Sequence, residues 1–146
     1  MNRRTALTAA AALALTSAPV AAAPGSDVTV LTLLDDFAAA WNRHDVDALM
    51  ACMAPDCVFE ASAGPDVTGT RHVGTSAVRA AYAAVFATYA DARWNHPRHF
   101  VAGTRAVSEW TFTGTTKDGT RVEVNGCDIF TLVDGKIALK NSYRKK

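Results

Sequence analysis

From residue 92 onward the chain reads as one strand after another. Two turn signals punctuate this stretch, Lys117-Asp118-Gly119 and Asp134-Gly135. An Asp-Gly pair between apolar alternating runs favours a tight hairpin, because both central residues then take positive φ, which these two types tolerate. Strands are expected near 92–102, 105–116, 120–133 and 136–144. Consecutive strands joined by short turns make an antiparallel meander, and its apolar face has to be covered.

The cover comes earlier in the chain. Val30, Leu34, Phe37 and Trp41 recur at helical spacing over 28–42, with Ser26 or Asp27 as cap. Asp45 opens a short helix over 46–53, which Ala54-Pro55 ends. Cys57–Ala61 is a short strand, and a polar, glycine-containing loop follows. Thr75 or Ser76 caps a third helix over 77–90. Helices first and a meander afterwards give an α+β domain with the helices on one face of the sheet. A curved sheet under such helices leaves a cavity between them.

The N-terminus belongs to a different regime. Asn2-Arg3-Arg4 is basic, residues 5–22 carry no charge, and Val20-Ala21-Ala22 offers small residues for cleavage. The expectation is a signal peptide over 1–22, a domain over 23–146, and a periplasmic or secreted mature form. Lys+Arg number 15 against Asp+Glu 14, and the one basic cluster of the mature part is Arg144-Lys145-Lys146. That balance argues against a nucleic-acid partner, and the mature part holds no stretch apolar enough to span a membrane. Cys52, Cys57 and Cys127 lack zinc spacing, and a Cys52–Cys57 bridge is left open. No metal and no cofactor is expected.

Asp128 interrupts this frame, because a carboxylate begins an otherwise apolar strand. Such a group is costly unless paired, hydrogen-bonded or protonated. If Asp134-Gly135 is a two-residue loop, Val133 pairs with Lys136 and Leu132 with Ile137. Continuing the count places Phe130 opposite Leu139 and Asp128 opposite Asn141, with Tyr143 on the same covered face. Lys140 and Ser142 then fall on the wetter face. A mostly apolar surface with a few convergent polar groups is the floor of a ligand pocket. One strand back, a two-residue Asp118-Gly119 loop puts Glu109 opposite Asp128, and a three-residue loop puts Ser108 there. Two neighbouring carboxylates would make an acid/base pair.

His96 is a further pocket acid/base candidate. His96 and His99 lie on opposite faces unless a bulge intervenes near Pro97, which speaks against a shared metal. Trp94 reads as core or pocket wall, Trp110 as a sheet-face or dimer residue, His44 as exposed in a turn, and Glu60 as structural. No Ser-His-Asp or Cys-His order stands out.

Three stretches, "FAAAWNRHDVDALMACMAPDCVFE", "TGTRHVGTSAVRAAY" and "DIFTLVDGKIALKNSY", resemble SnoaL-like domains of the nuclear transport factor 2 superfamily. The resemblance spans the mature chain. It implies a cone-shaped α+β fold, three N-terminal helices on a curved, mostly antiparallel sheet. That superfamily includes isomerases, dehydratases, epoxide hydrolases, polyketide cyclases and non-enzymatic binding domains, so fold alone selects none of them. Against ketosteroid isomerase, Ala61 stands at the general base and Phe37 at the oxyanion-hole Tyr, while Asp128 matches the protonated oxyanion-hole Asp. The expected function is an exported, cofactor-independent enzyme acting on a small, largely apolar carbonyl-type or cyclic substrate. Asp128, Glu109 and His96 would do the chemistry, with Asn141, Tyr143, Phe130, Trp41, Phe37 and Phe59 around the ligand. The alternatives are a non-catalytic ligand-binding domain and a dimeric interaction module. A homodimer through the outer sheet face is expected in any case.

Overall fold

A computed structural model describes residues 24–146, with side chains from residue 27. The leader read over 1–22 lies outside the described residues. The element order is α1 (Pro24–Arg43), α2 (Val46–Cys52), β1 (Met53–Glu60), β2 (Arg71–Val73), α3 (Thr75–Thr88), β3 (Arg93–Ala102), β4 (Arg105–Thr115), β5 (Arg121–Val133) and β6 (Lys136–Arg144). The strands form one sheet in the order β2-β1-β6-β5-β4-β3. β1 runs parallel to β6, and the other neighbours are antiparallel. The three helices and the meander stand where the sequence places them. β2 lies in the stretch expected to be loop. Among the described residues no helix is long and apolar enough to cross a membrane.

Local chemistry sets the helix ends. α1 begins earlier than expected, so Asp27 falls within its first turn. The Asp45 carboxylate accepts from the Ala48 N–H at 2.9 Å and caps α2. At α3 the cap is Gly74 with φ 86°, and the Thr75 hydroxyl donates instead to the Pro55 carbonyl at 2.9 Å.

Leu34, Phe37, Ala40 and Trp41 of α1 are buried against the sheet with Val78 and Tyr82 of α3, Phe112, Phe130 and Ile137. Phe37 meets Trp41 and Phe130 edge-on, with ring centroids 6.0 and 5.9 Å apart. Each such side chain contributes roughly 1.5–3 kcal/mol through burial. Asn42 fastens the end of α1 to β3: its amide donates to the Trp94 carbonyl at 2.9 Å and its oxygen accepts from the Trp94 N–H at 2.8 Å. His44, expected in solvent, is half-buried, stacked on Phe86 with centroids 4.4 Å apart, and bonded to the Ala92 carbonyl at 2.8 Å.

Two turns decide which side chains enter the interior. Asp134 and Gly135 have φ 49° and 71°, the two-residue hairpin expected, and Val133 pairs with Lys136 and Leu132 with Ile137. The ladder then slips. Thr131 pairs with Leu139 rather than Ala138, so Ala138 is an extra residue and everything beyond it in β6 changes face. Phe130 pairs with Lys140 and Asp128 with Ser142. Lys140 and Ser142 therefore point inward, and Asn141 and Tyr143 outward, the reverse of the sequence expectation. At the other turn Thr116 N–H donates to the Thr120 carbonyl at 2.9 Å around a three-residue loop with Gly119 at φ 88°. That loop puts Ser108, not Glu109, opposite Asp128.

Candidate functional site

His99, Ser108, Asp128 and Ser142 stand directly opposite one another on β3, β4, β5 and β6. They form one polar row across the interior face of the sheet, which carries Lys140 and Arg144 beside them among mostly apolar side chains.

At one end of the row every group is matched. Asp128 is 4% exposed. Its Oδ1 accepts from Lys140 Nζ at 2.8 Å and from Ser142 Oγ at 2.5 Å, and its Oδ2 accepts from Trp110 Nε1 at 2.9 Å. Lys140 is equally buried, donates also to Ser142 Oγ at 2.6 Å, and holds its ammonium 4.6 Å from the Phe59 ring centroid. Burial pushes the Lys140 amine below its ordinary range, and the Asp128 charge pulls it back up. Gly126 makes room for this arrangement: a Cβ there would come within 2.4 Å of the Trp110 ring and of the Tyr143 carbonyl oxygen. Asp128 is thus an anion held by three donors. Trp110 faces inward and orients it rather than lying on the outer face.

The other end is unsaturated. His99 Nδ1 bonds Ser108 Oγ at 2.7 Å. His99 Nε2 stands 3.3 Å from Asp35 Oδ1 but outside hydrogen-bond alignment, so this buried nitrogen has no hydrogen-bond partner. Trp41 Nε1, likewise buried, has none. Burial depresses the His99 pKa, and the Asp35 carboxylate opposes this. The imidazole is therefore held neutral, with Nε2 near the Asp35 carboxylate but not in an aligned hydrogen bond.

These groups border a cavity of about 20 Å³ between α1 and the sheet. That volume holds roughly one water. Its walls are Phe37, Trp41, Trp94, Trp110 and Phe130, with His99, Ser108 and Asp128 as the polar lining. Leu34, Ala38 and Pro97 complete it, and the half-buried Ala38 and exposed Pro97 mark the side nearest solvent. Phe37, Trp41, Phe130 and Asp128 are thus where the sequence places them. Phe59 is buried behind them against Tyr82, with centroids 5.2 Å apart, and outside the cavity lining.

Four other expected site residues lie elsewhere. Glu109 is on the outer face, ion-paired with Arg98 at 2.6 Å. Asn141 Nδ2 donates to the Tyr143 hydroxyl at 3.0 Å on that same face. His96 is exposed, with φ 54°, in a bulge where the β3–β4 register shifts between Asn95 and Arg98. That bulge leaves His99, not His96, as the interior histidine. His96, Glu109 and Tyr143 instead line an open outer groove of about 730 Å³ running across four strands. Glu60, buried and 3.2 Å from Arg71, is structural as expected. Cys52, Cys57 and Cys127 are unpaired. Among the described residues no group of three or more His, Cys, Asp or Glu could hold a metal ion.

The family model described as SnoaL-like domain matches residues 34–140. A candidate polyketide cyclase from Xanthomonas campestris pv. campestris shares the fold at TM-score 0.72 and 22% identity, over 81% of this chain and 91% of that one. A hypothetical protein with ketosteroid isomerase-like fold from Catenulispora acidiphila, in complex with trimethylamine, matches at TM-score 0.68 and 20% identity, over 76% and 83% of the two chains. TerC co-crystallized with polyporic acid matches at TM-score 0.68 and 20% identity, over 80% and 92%. At these identities the likeness is one of fold. Comparison with curated proteins gives no match.

Proposed function

The chain belongs to the SnoaL-like domain family, and from that premise we propose that it binds a small, largely apolar carbonyl-bearing or cyclic molecule in its interior. His99 moves a proton on that ligand without a cofactor, and Trp41 Nε1–H holds the ligand's oxygen. The observation that carries this reading is that two residues lining one cavity, His99 and Trp41, each hold a buried ring nitrogen without a hydrogen-bond partner. Buried polar atoms without partners are rare, and a ligand that satisfies both offsets their desolvation. Aromatic walls on the remaining sides suit a ring system. Proton transfer at Nε2 uses the tautomer in which Nδ1–H donates to Ser108. Asp128 is the anchor that fixes the indole of Trp110 rather than the group that reacts.

A cavity of one water admits a larger molecule only if the α1 turn at Leu34–Ala38 and the Pro97 bulge separate. A second reading, a binding domain without turnover, draws on this closed state and on the saturation of Asp128. In either reading the mature protein is exported by its 1–22 leader. It pairs as a homodimer through the outer sheet face, where Phe100 and Tyr143 are 54% and 51% exposed.

All three tryptophans border the cavity, so their fluorescence reports binding. Titration with cyclohexenone should change it saturably, and the protein should speed exchange of the ketone's α-protons into heavy water. His99→Gln should abolish the exchange while retaining the fluorescence change. A ketone that leaves both signals untouched contradicts the proposal.

A further inference from the structure

We propose that Ser108, His99 and Asp35 form a nucleophile, base and orienting acid that give this interior site acyl-transfer activity toward small esters. The inference rests on the same interior site but asks for different chemistry from proton transfer at a carbon. Ser108 Oγ lies 2.7 Å from His99 Nδ1, within the reach that an activated hydroxyl needs. On the far side of the ring, Asp35 Oδ1 is 3.3 Å from Nε2. The order along the sequence is Asp35, His99, Ser108, with a wide gap between the first two; the β3–β4 pairing of His99 with Ser108 and the lie of α1 over β3 bring them together.

The tautomer required is the one with Nε2–H facing Asp35, which leaves Nδ1 free to accept the Ser108 proton. Ser108 is 5% exposed and lines the cavity, so an acyl group admitted by the same separation of α1 from the Pro97 bulge is shielded from bulk water. Trp41, whose Nε1–H has no partner, lines the same small space. It is a donor with nothing to bond until an oxyanion forms, which is the property an oxyanion site requires. Asp35 is largely in solvent, its side chain 73% exposed, whereas that of His99 is 6% exposed. The ring thus connects the surface to the interior beside the Ala38–Pro97 side.

The step is as follows. Ser108 Oγ attacks the ester carbonyl carbon while its proton passes to His99 Nδ1. The tetrahedral oxyanion accepts from Trp41 Nε1–H. The bond from carbon to the alcohol oxygen breaks, and the departing alkoxide takes the proton from Nδ1. Water then adds to the acyl-serine, its proton going to Nδ1. The carbon–Oγ bond breaks, Oγ recovers the proton, and the acid leaves. Asp35 touches no reacting atom; its carboxylate, 3.3 Å from Nε2, stabilises the transient imidazolium by its charge.

The test treats the mature chain with p-nitrophenyl acetate, following nitrophenolate release and locating acetyl groups by peptide mass after acid quench. The wild type should carry acetyl on Ser108. Ser108→Ala should lose that adduct, and release should slow about 100-fold or more, as should release by His99→Gln. Ser108→Cys, which keeps a nucleophile, should still be acetylated at position 108 if the pocket is formed. Asp35→Asn should lower kcat about tenfold with little change in KM. It should also move the acidic limb of the pH profile to lower pH, because Asp35 raises the His99 pKa. No acetyl on Ser108 in the wild type, or release unchanged by Ser108→Ala, overturns the relay. If ketone exchange persists without serine acylation, the interior site stands and the relay falls. Acylation without ketone binding supports the relay and overturns the proton-transfer reading.

Discussion

Asp128 and His99 face the same interior, separated by Ser108 in one cross-strand row. Around Asp128 an ammonium, a hydroxyl and an indole all converge on the carboxylate. At the His99 end Nε2 has no aligned hydrogen-bond partner, and Trp41 Nε1 in the same cavity wall has none either. Elementary energetics gives these opposite states opposite meanings. A charge taken out of water persists only when paired and hydrogen-bonded, so the Asp128 cluster secures the fold. An orphaned donor or acceptor lowers stability until something completes it, so the His99 cluster is where a ligand gains most.

The largest effect should come from breaking the saturated end. Lys140→Met strands a buried carboxylate and should lower stability by about 3–5 kcal/mol in urea melts. Combining it with Asp128→Asn should restore much of that loss, because the charge left unpaired is then gone.

A matched pair of substitutions sharpens the contrast. Trp110→Phe removes a donor to a carboxylate, and Trp41→Phe removes a donor with no acceptor. The first should cost roughly 1.5–3 kcal/mol more than the second. Equal costs would mean that the two indoles are not differently satisfied.

The pH dependence of stability isolates His99. Its folded pKa lies below the ordinary 6.5. As pH falls, the unfolded chain takes up the proton first. The stability that His99 carries is therefore complete above about pH 6.5 and is lost as pH drops toward the folded value. Melts of wild type and His99→Gln at pH 7.5 and pH 5.5 should show a smaller decline in the variant.

The smallest effect belongs outside. Arg98 is largely in solvent and Glu109 about half so, and Glu109→Gln should change stability by less than about 1 kcal/mol and leave ketone binding unchanged. A large loss of binding would put Glu109 back at the site.

How far these clusters could be read in advance follows from the same register. The meander, its Asp134-Gly135 turn and the interior placement of Asp128, Phe130, Trp41 and Phe37 are legible because apolar alternation and turn chemistry are local. The partners of Asp128 are not. One extra residue, Ala138, exchanges Lys140 and Ser142 for Asn141 and Tyr143, and neither composition nor alternation marks an alanine as a bulge. The choice between Ser108 and Glu109 hung on whether the Lys117–Gly119 loop held two residues or three. For His99 a signal did exist. A proline in a strand invites a bulge, and a bulge at His96–Pro97 turns the later histidine inward. The approach of Asp35 to that ring depends on how α1 lies over β3, a tertiary fact without a local signature.

The indole N–H resonances of Trp41 and Trp110 offer the most direct measurement, because one proton has no acceptor and the other is held on Asp128. In ¹⁵N–¹H spectra recorded during a cyclohexenone titration, the Trp41 signal should move saturably and become protected from solvent exchange. The Trp110 signal, held on Asp128, should stay in place. Movement of Trp110 with Trp41 unmoved would mean that the ligand engages the Asp128 cluster, and would contradict the assignment of anchor and site.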